Sequence, residues 1–95
     1  MNNNLFVSYD LHEPGKNYES VIAEIKKLGA WAKVHYSLWY VDSALNSEQA
    51  AKRVWSAMDG NDRLIVIDAT NNHCYWYNLS KEVAELIKSR WFAQV

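Results

Sequence analysis

The sequence predicts a small α/β domain whose elements follow the order β-α-β-β-α-β, with a further helix at the C-terminal end. Three observations support this. Residues 4–10 alternate in the manner of a half-buried strand, two segments carry apolar residues at helical spacing, and residues 63–68 contain an unbroken apolar run. Two right-handed crossovers interleaved in this order give the ferredoxin-like α/β sandwich.

The first strand and the first helix have the clearest patterns. In residues 4–10, one face carries Leu5, Val7 and Tyr9, and the other carries Phe6, Ser8 and Asp10. Pro14 and Gly15 predict a turn in the loop that follows. The helix is expected over residues 17–28, where the apolar stripe consists of Tyr18, Val21, Ile22, Ile25 and Leu28.

The middle of the chain predicts two strands and a second helix. Residues 30–42 are rich in β-branched and aromatic side chains but too long for one strand, so we expect two short strands that meet near Tyr36 and Ser37. Asn46 or Ser47 is expected to cap a helix that ends near Asp59.

The last third predicts a buried strand and a helical tail. The apolar run in residues 63–68 suggests a strand buried on both faces. No clear strand is expected after it, and Ser80 is expected to cap a third helix. The chain is thus a single domain over residues 1–95, with a core of about 4–69 and a tail of about 79–92.

The amino-acid composition limits which functions the protein can have. The 95 residues include five Trp, six Tyr and two Phe, which is more apolar surface than a small core easily buries, so part of it is expected in a subunit interface. The net charge of −1 argues against phosphate contacts over the whole surface. A single cysteine, a polar N-terminus and short apolar stretches predict a cytoplasmic protein with no membrane partner.

Four segments, in order, resemble a known family: residues 7–10 (VSYD), Leu28-Gly29 at a helix end, residues 35–39 (HYSLW) and residues 62–67 (DRLIVI). The chain resembles the superfamily of small CRISPR-associated nucleases and integration adaptors, the second of the two core spacer-acquisition proteins. Residues 29–32 (GAWA) bring it nearer to the SinR-like relatives of that superfamily. The VapD toxins resemble it more distantly.

The resemblance implies a homodimer of ferredoxin-like domains that cleaves phosphodiesters. In that superfamily an Asp at the end of the first strand comes from each subunit, and the pair flanks a divalent metal. Asp10 stands at the matching position as metal ligand, with Mg²⁺ or Mn²⁺ as the expected cofactor. Ser37 matches a Tyr-Ser pair near it, and Asp62 and Arg63 are expected at the same end of the sheet. His12, Glu13 and Pro14 replace the usual basic segment, and a helical tail replaces a strand that is swapped onto the partner.

Each candidate side chain also has a structural interpretation. Asp10 would then bond to its own backbone and cap the loop. His12 and Glu13 have two interpretations. They could serve as a general base or an additional ligand, or they could belong to a solvated loop.

His35 is a candidate for an interface hydrogen bond. His73 and Cys74 lack a second His/Cys pair at zinc spacing. The aromatic residues 75–77 suit base stacking but more commonly close a core.

The candidate basic patches are Lys16, Lys26, Lys27 and Lys33, and separately Lys52 and Arg53; such charges usually form a solvated face.

Two hypotheses for function follow. The first is a metal-dependent endonuclease that cleaves RNA or DNA, with Asp10 and Ser37 as the catalytic residues; a toxin-like ribonuclease is a variant of it. The second is a non-catalytic homodimeric adaptor that binds nucleic acid or protein. The retained Asp favours the first hypothesis, and the neutral charge with the missing basic segment favours the second.

Overall fold

The computed structural model describes residues 2–12 and 18–92. The predicted Pro14-Gly15 turn and Glu13 lie outside the described residues. In the described part, one five-stranded sheet is combined with three helices. The elements in chain order are β1 (Asn3–Asp10), α1 (Tyr18–Lys27), β2 (Gly29–His35), β3 (Leu38–Ser43), α2 (Ser47–Trp55), β4 (Arg63–Asp68), β5 (His73–Tyr77) and α3 (Lys81–Trp91).

The sheet is antiparallel throughout, in the order β2-β3-β1-β4-β5. Its first four strands have the connectivity and order of the ferredoxin-like sandwich, so the predicted fold class is confirmed. Strand β1 is central, pairing with β3 from Asn3 to Ser8 and with β4 from Leu5 to Asp10. The predicted split of residues 30–42 is also confirmed, because β2 ends at His35 and β3 begins at Leu38.

The sequence-based prediction for the tail was wrong in one respect. Residues 73–77 form β5, which pairs with β4 of the same chain from Leu64↔Tyr77 to Asp68↔His73. The tail therefore contains a strand as well as the predicted helix, and that strand pairs within its own subunit. The two strands are joined by a tight turn in which Asn72 has φ 53°, a left-handed conformation that Asn tolerates better than most residues.

Helices α1 and α2 cover one face of the sheet and enclose the core. The buried residues of β1 are Leu5, Val7 and Tyr9, as the alternation predicts. The core contains further side chains from both helices and from the neighbouring strands: Val21, Ile25, Leu28, Trp39, Val41, Ala50, Ala51, Val54, Leu64 and Val66. Asn46 caps α2 with a full capping box to Gln49, one of the two predicted caps.

The opposite face of the sheet is less covered. On β4 the residues alternate, so Leu64 and Val66 are buried while Ile65 and Ile67 are only partly buried, and the prediction of burial on both faces was too strong. Helix α3, capped by Ser80 as predicted, has no buried residue. Its last turn lies against β5, where the Trp91 indole N–H donates to the Asn72 carbonyl at 3.0 Å. No helix in the described part of the chain is long and apolar enough to cross a membrane.

Candidate functional site

Asp10 is the last residue of β1, and its side chain is exposed. Because Leu5, Val7 and Tyr9 point into the core, alternation places Asp10 on the side away from the two core helices. Its partner on β4 is Arg63. Directly opposed residues of an antiparallel pair project from the same face, about 5 Å apart at Cβ, so the Arg63 side chain leaves the sheet next to that of Asp10 without forming an ion pair with it.

Two surface cavities meet at Asp10. One, of about 150 Å³, has Arg63 and Leu79 among its lining residues. The other, of about 190 Å³, is lined by Tyr9, Asp10, Leu11, Tyr18 and Ser37. The structure thus brings Asp10 and Ser37 together at one end of the sheet, as the resemblance implies for their positions.

Ser37 is held there by the pairing of the β2–β3 turn with β1. The backbone N–H of Tyr9 donates to the Ser37 carbonyl at 3.2 Å, so this carbonyl is already occupied. The Ser37 hydroxyl is both a donor and an acceptor, so it can contact a phosphate or a water.

A second carboxylate, Asp62, performs the loop-capping role that was considered for Asp10. Asp62 is 3 % exposed. One of its carboxylate oxygens accepts from the His12 backbone N–H at 2.7 Å, and the other accepts from the Asp59 backbone N–H at 2.8 Å. Within the described part of the chain, no hydrogen bond or ion pair involves the Asp10 carboxylate. Asp62 ties down the loop, and Asp10 faces the cavities.

Two tyrosine side chains form hydrogen bonds to the residue before Ser37. The hydroxyls of Tyr9 and Tyr18 both donate to the Tyr36 carbonyl, at 3.4 Å and 3.0 Å. Burial, followed by the neighbouring Tyr18 hydroxyl, raises the pKa of Tyr9 to about 12. Tyr9 is therefore a neutral hydrogen-bond donor at physiological pH. It also accepts a bond from the Trp39 indole N–H at 3.4 Å.

The other sequence candidates lie apart from this arrangement. His35 is exposed on the edge strand β2, with β3 between it and β1. His73 contacts Ser47, with 3.1 Å between Nδ1 and the hydroxyl oxygen, at the far end of β4. Burial raises the pKa of the Cys74 thiol, which disfavours the thiolate needed for metal binding or nucleophilic attack.

The available metal-ligating side chains limit which metal ion a single chain can bind. Among residues 2–12 and 18–92, no group of three or more His, Cys, Asp or Glu side chains could hold a metal ion. Mg²⁺ retains several waters and needs only one or two carboxylates. The site therefore fits such an ion only if a second carboxylate comes from another copy of the chain or further oxygens come from a phosphate.

In the described part of the chain, two carboxylates are buried, which their sequence pattern did not indicate. Asp62 lies at the Asp10 end of the sheet, as expected, but is buried, and Asp68 is buried at the opposite end of β4. Asp68 accepts backbone N–H bonds from Thr70 and Asn71, both at 3.0 Å, and so shapes the β4–β5 turn. The Asp-x-Thr-Asn spacing after an apolar run is the signal for this turn, since Asp side chains commonly bond to backbone N–H groups two or three residues further along the chain.

The chain matches no protein-family model, and no curated protein or solved structure shows a significant match to it.

Proposed function

We propose that the chain acts as a homodimeric, divalent-metal-dependent endonuclease that cleaves RNA or DNA phosphodiesters. The observation that carries the proposal is the exposed Asp10 carboxylate, free of described partners, at the meeting point of two cavities that also contain Ser37 and Arg63. Its position at the end of the central strand matches that of the metal-binding Asp in the superfamily that the sequence resembles.

The roles of the residues follow from their chemistry. Asp10 of each subunit supplies one carboxylate ligand across the two-fold axis, and the Ser37 hydroxyl positions the phosphate or the attacking water. A bound Mg²⁺ or Mn²⁺ supplies an activated water and neutralises charge on the leaving oxygen. His12, Glu13 and Pro14 replace the superfamily's basic segment, so Arg63, the partner of Asp10 on β4, is the positive charge that would contact the phosphate next to Asp10.

The less covered face of the sheet, opposite α1 and α2, supports dimer formation. It carries Phe6, Leu38, Tyr40, Ile65 and Ile67, which are all apolar or aromatic and only partly buried within one chain. Pairing two such faces would bury this surface and is compatible with Asp10, which projects from the same face. Light scattering during size-exclusion chromatography gives the mass in solution. A monomer at micromolar concentration contradicts the shared metal site.

Cleavage assays test the enzyme. Labelled single-stranded RNA, single-stranded DNA and duplexes are incubated with Mg²⁺ or Mn²⁺, and in parallel with chelator. Asp10→Asn is compared with the wild type and with Asp42→Asn. Asp42 pairs with Asn4, so it lies six residues of β1 from Asp10, about 20 Å away. We expect cleavage that disappears in chelator and in Asp10→Asn but survives in Asp42→Asn. Equal weak cleavage by all three proteins would mean contamination and refute the enzyme.

The adaptor is the second candidate, and the donor set favours it. The described part of one chain offers no three-ligand metal cluster, and the chain carries a net charge of −1. An adaptor binds its nucleic acid or protein partner equally well in chelator and as Asp10→Asn, and cleaves nothing. The same set of proteins therefore separates the two functions.

A further inference from the structure

We propose that the exposed edge of the sheet at β2 binds single-stranded nucleic acid through two lysine–aromatic pairs. The binding surface, called here the β2 edge patch, consists of Lys26, Trp31, Lys33 and Tyr36. The inference names the substrate class of the site at Asp10, and in that respect it rests on the proposed function.

The first observation is the exposure of large apolar and aromatic side chains along β2. All seven residues of this edge strand are exposed. Of the exposed large hydrophobic residues in the described part of the chain, Trp31 is 45 % exposed, Val34 51 % and Tyr36 78 %. These three lie within six consecutive positions. Aromatic rings left in water on one strand and its turn are typical of a binding surface rather than of a core.

The second observation is positive charge over these rings. The Lys26 ammonium lies 4.5 Å from the centroid of the Trp31 ring, and the Lys33 ammonium lies 5.3 Å from that of Tyr36. Neither lysine forms a salt bridge with a described carboxylate, whereas Lys27 is paired with Glu24 at 3.0 Å. Within the described part of the chain, two cations at this edge are thus not paired with a carboxylate, although the net charge of the chain is −1.

The third observation is the fixed geometry of the rings. Trp31 and Lys33 pair with Val41 and Trp39, so both project from the same side of β2. The hydroxyls of Tyr9 and Tyr18 fix the Tyr36 backbone through its carbonyl, and the Tyr36 ring lies edge-on to the Tyr18 ring, with 6.4 Å between their centroids. Bases can stack on such pre-positioned rings, while the flexible lysine side chains swing from the rings to the phosphates.

The path of a bound strand leads to the candidate catalytic residues. Tyr36 directly precedes Ser37, which lines the cavity of about 190 Å³ that also contains Asp10. A single strand stacked on Tyr36 would therefore pass next to that cavity. A duplex hides its bases within the stack and cannot use the rings in this way, so the patch selects single strands.

Two other roles would produce the same exposure. Lysines on an edge strand also prevent pairing with other chains, and an exposed edge can pair with a second copy of the chain. The β2 edge patch differs from both in its predictions, because only nucleic-acid binding makes oligonucleotide affinity depend on Tyr36 and Lys33 together.

Fluorescence anisotropy with labelled oligo-dT, oligo-U and a duplex tests the proposal. The titrations are done in chelator, so that no cleavage occurs. The variants are Tyr36→Ala, Lys33→Gln and the control Lys81→Gln. Lys81 is an exposed lysine at the start of α3, beside β5 at the other edge of the sheet. Circular dichroism and thermal unfolding confirm that each variant is folded, as the 78 % exposure of Tyr36 leads us to expect.

We expect the wild type to bind single strands more tightly than the duplex. Tyr36→Ala should weaken single-strand binding about tenfold or more, as the loss of one stacked base predicts. Lys33→Gln should reduce the slope of log affinity against log salt by about 0.7, the value for one phosphate contact on a single strand. Lys81→Gln should bind like the wild type.

Three results would overturn the proposal: no binding by the wild type, equal affinity of Tyr36→Ala and wild type, or a tighter complex with the duplex. A change of mass for Tyr36→Ala in light scattering, with unchanged affinity, would assign the patch to contacts between copies. Asp10→Asn separates this proposal from the proposed function. If it binds like the wild type and neither protein cleaves, the patch stands and the nuclease fails. If cleavage is lost in Asp10→Asn but Tyr36→Ala binds with unchanged affinity, the nuclease proposal stands and the β2 edge patch fails.

Discussion

The substitution Asp62→Asn tests whether the two carboxylates at this end of the sheet have different tasks. Asn keeps the shape of the side chain but places an NH₂ group where one oxygen accepted a backbone N–H. One bond, to His12 at 2.7 Å or to Asp59 at 2.8 Å, is lost, and a partly buried hydrogen bond to the carboxylate is broken. Hydrogen bonds to charged groups contribute about 1.5–3 kcal/mol each. We therefore expect a loss of about 2–3 kcal/mol in the free energy of unfolding.

Urea denaturation followed by tryptophan fluorescence measures this loss, and Asp10→Asn is the matched control. The chemical change is the same, but Asp10 is exposed and has no described partner, so its effect should stay within about 0.5 kcal/mol. For a domain of 95 residues, the Asp62→Asn loss lowers Tm by roughly 10–20 °C. If Asp62→Asn unfolds at the same urea concentration as Asp10→Asn, the two backbone bonds do not stabilise the fold and the division of tasks is wrong.

Two further predictions concern the backbone and the buried phenol. At Gly29 an added Cβ would overlap the Asp42 carbonyl oxygen, whereas nothing lies within 4 Å at Gly60; Gly29→Ala should cost about 1–3 kcal/mol and Gly60→Ala almost nothing, as measured by thermal unfolding. Tyr9 is stabilised in its neutral form, since its pKa rises from 10.0 to about 12 on folding. Its contribution is complete below pH 10 and is lost between pH 10 and 12, by up to about 2–3 kcal/mol. At pH 8, Tyr9→Phe should have a lower free energy of unfolding than the wild type. Above pH 10 its free energy of unfolding should fall less than that of the wild type. Parallel pH profiles of the two proteins in urea unfolding would refute this.

The elements predicted correctly are those whose signal is local. The alternation over residues 4–10, the helical stripe that includes Val21 and Ile25, and the cap at Asn46 depend on a few neighbouring residues, and each corresponds to a structural feature at nearly the predicted bounds. The turn near Ser37 was predictable for the same reason, since the β-prone segment was too long for one strand.

Strand β5 was missed because its two signals were interpreted separately. In the sequence, Asn72 interrupts the apolar pattern after β4, and the aromatic residues 75–77 alone resemble a cluster that closes a core. In the structure, Asn72 at φ 53° and Asn78 at φ 62° bracket the strand, so the asparagines mark its ends. Cys74 and Trp76 face one side, and Tyr77 stacks on Trp55 of α2 on the other, at 4.6 Å between ring centroids. The stacking of Tyr77 depends on the position of α2, which local sequence does not reveal.

The positions of Asp10 and Asp62 show why the site was only partly predictable. Both residues adjoin apolar strands and look alike in sequence, one ending β1 and one preceding β4. Their difference arises from long-range contacts: the chain returns so that His12, fifty positions away, donates to Asp62. Sequence patterns of period two assign a side chain to a face, but they do not show which backbone N–H will reach it. The tertiary structure therefore decides which carboxylate is structural.

The free carboxylate makes the proposed chemistry a property of the assembly. One chain contributes one Asp10, whereas the whole β2 edge patch lies within a single chain. On dilution below the dimer dissociation constant, the cleavage rate per chain should therefore fall, while oligonucleotide binding per chain should not. The two sites thus respond differently to concentration, because a metal site shared across a two-fold axis is lost with the dimer and a patch of lysines and aromatic rings is retained. A cleavage rate per chain that stays constant through the dimer–monomer transition would show that one Asp10 suffices.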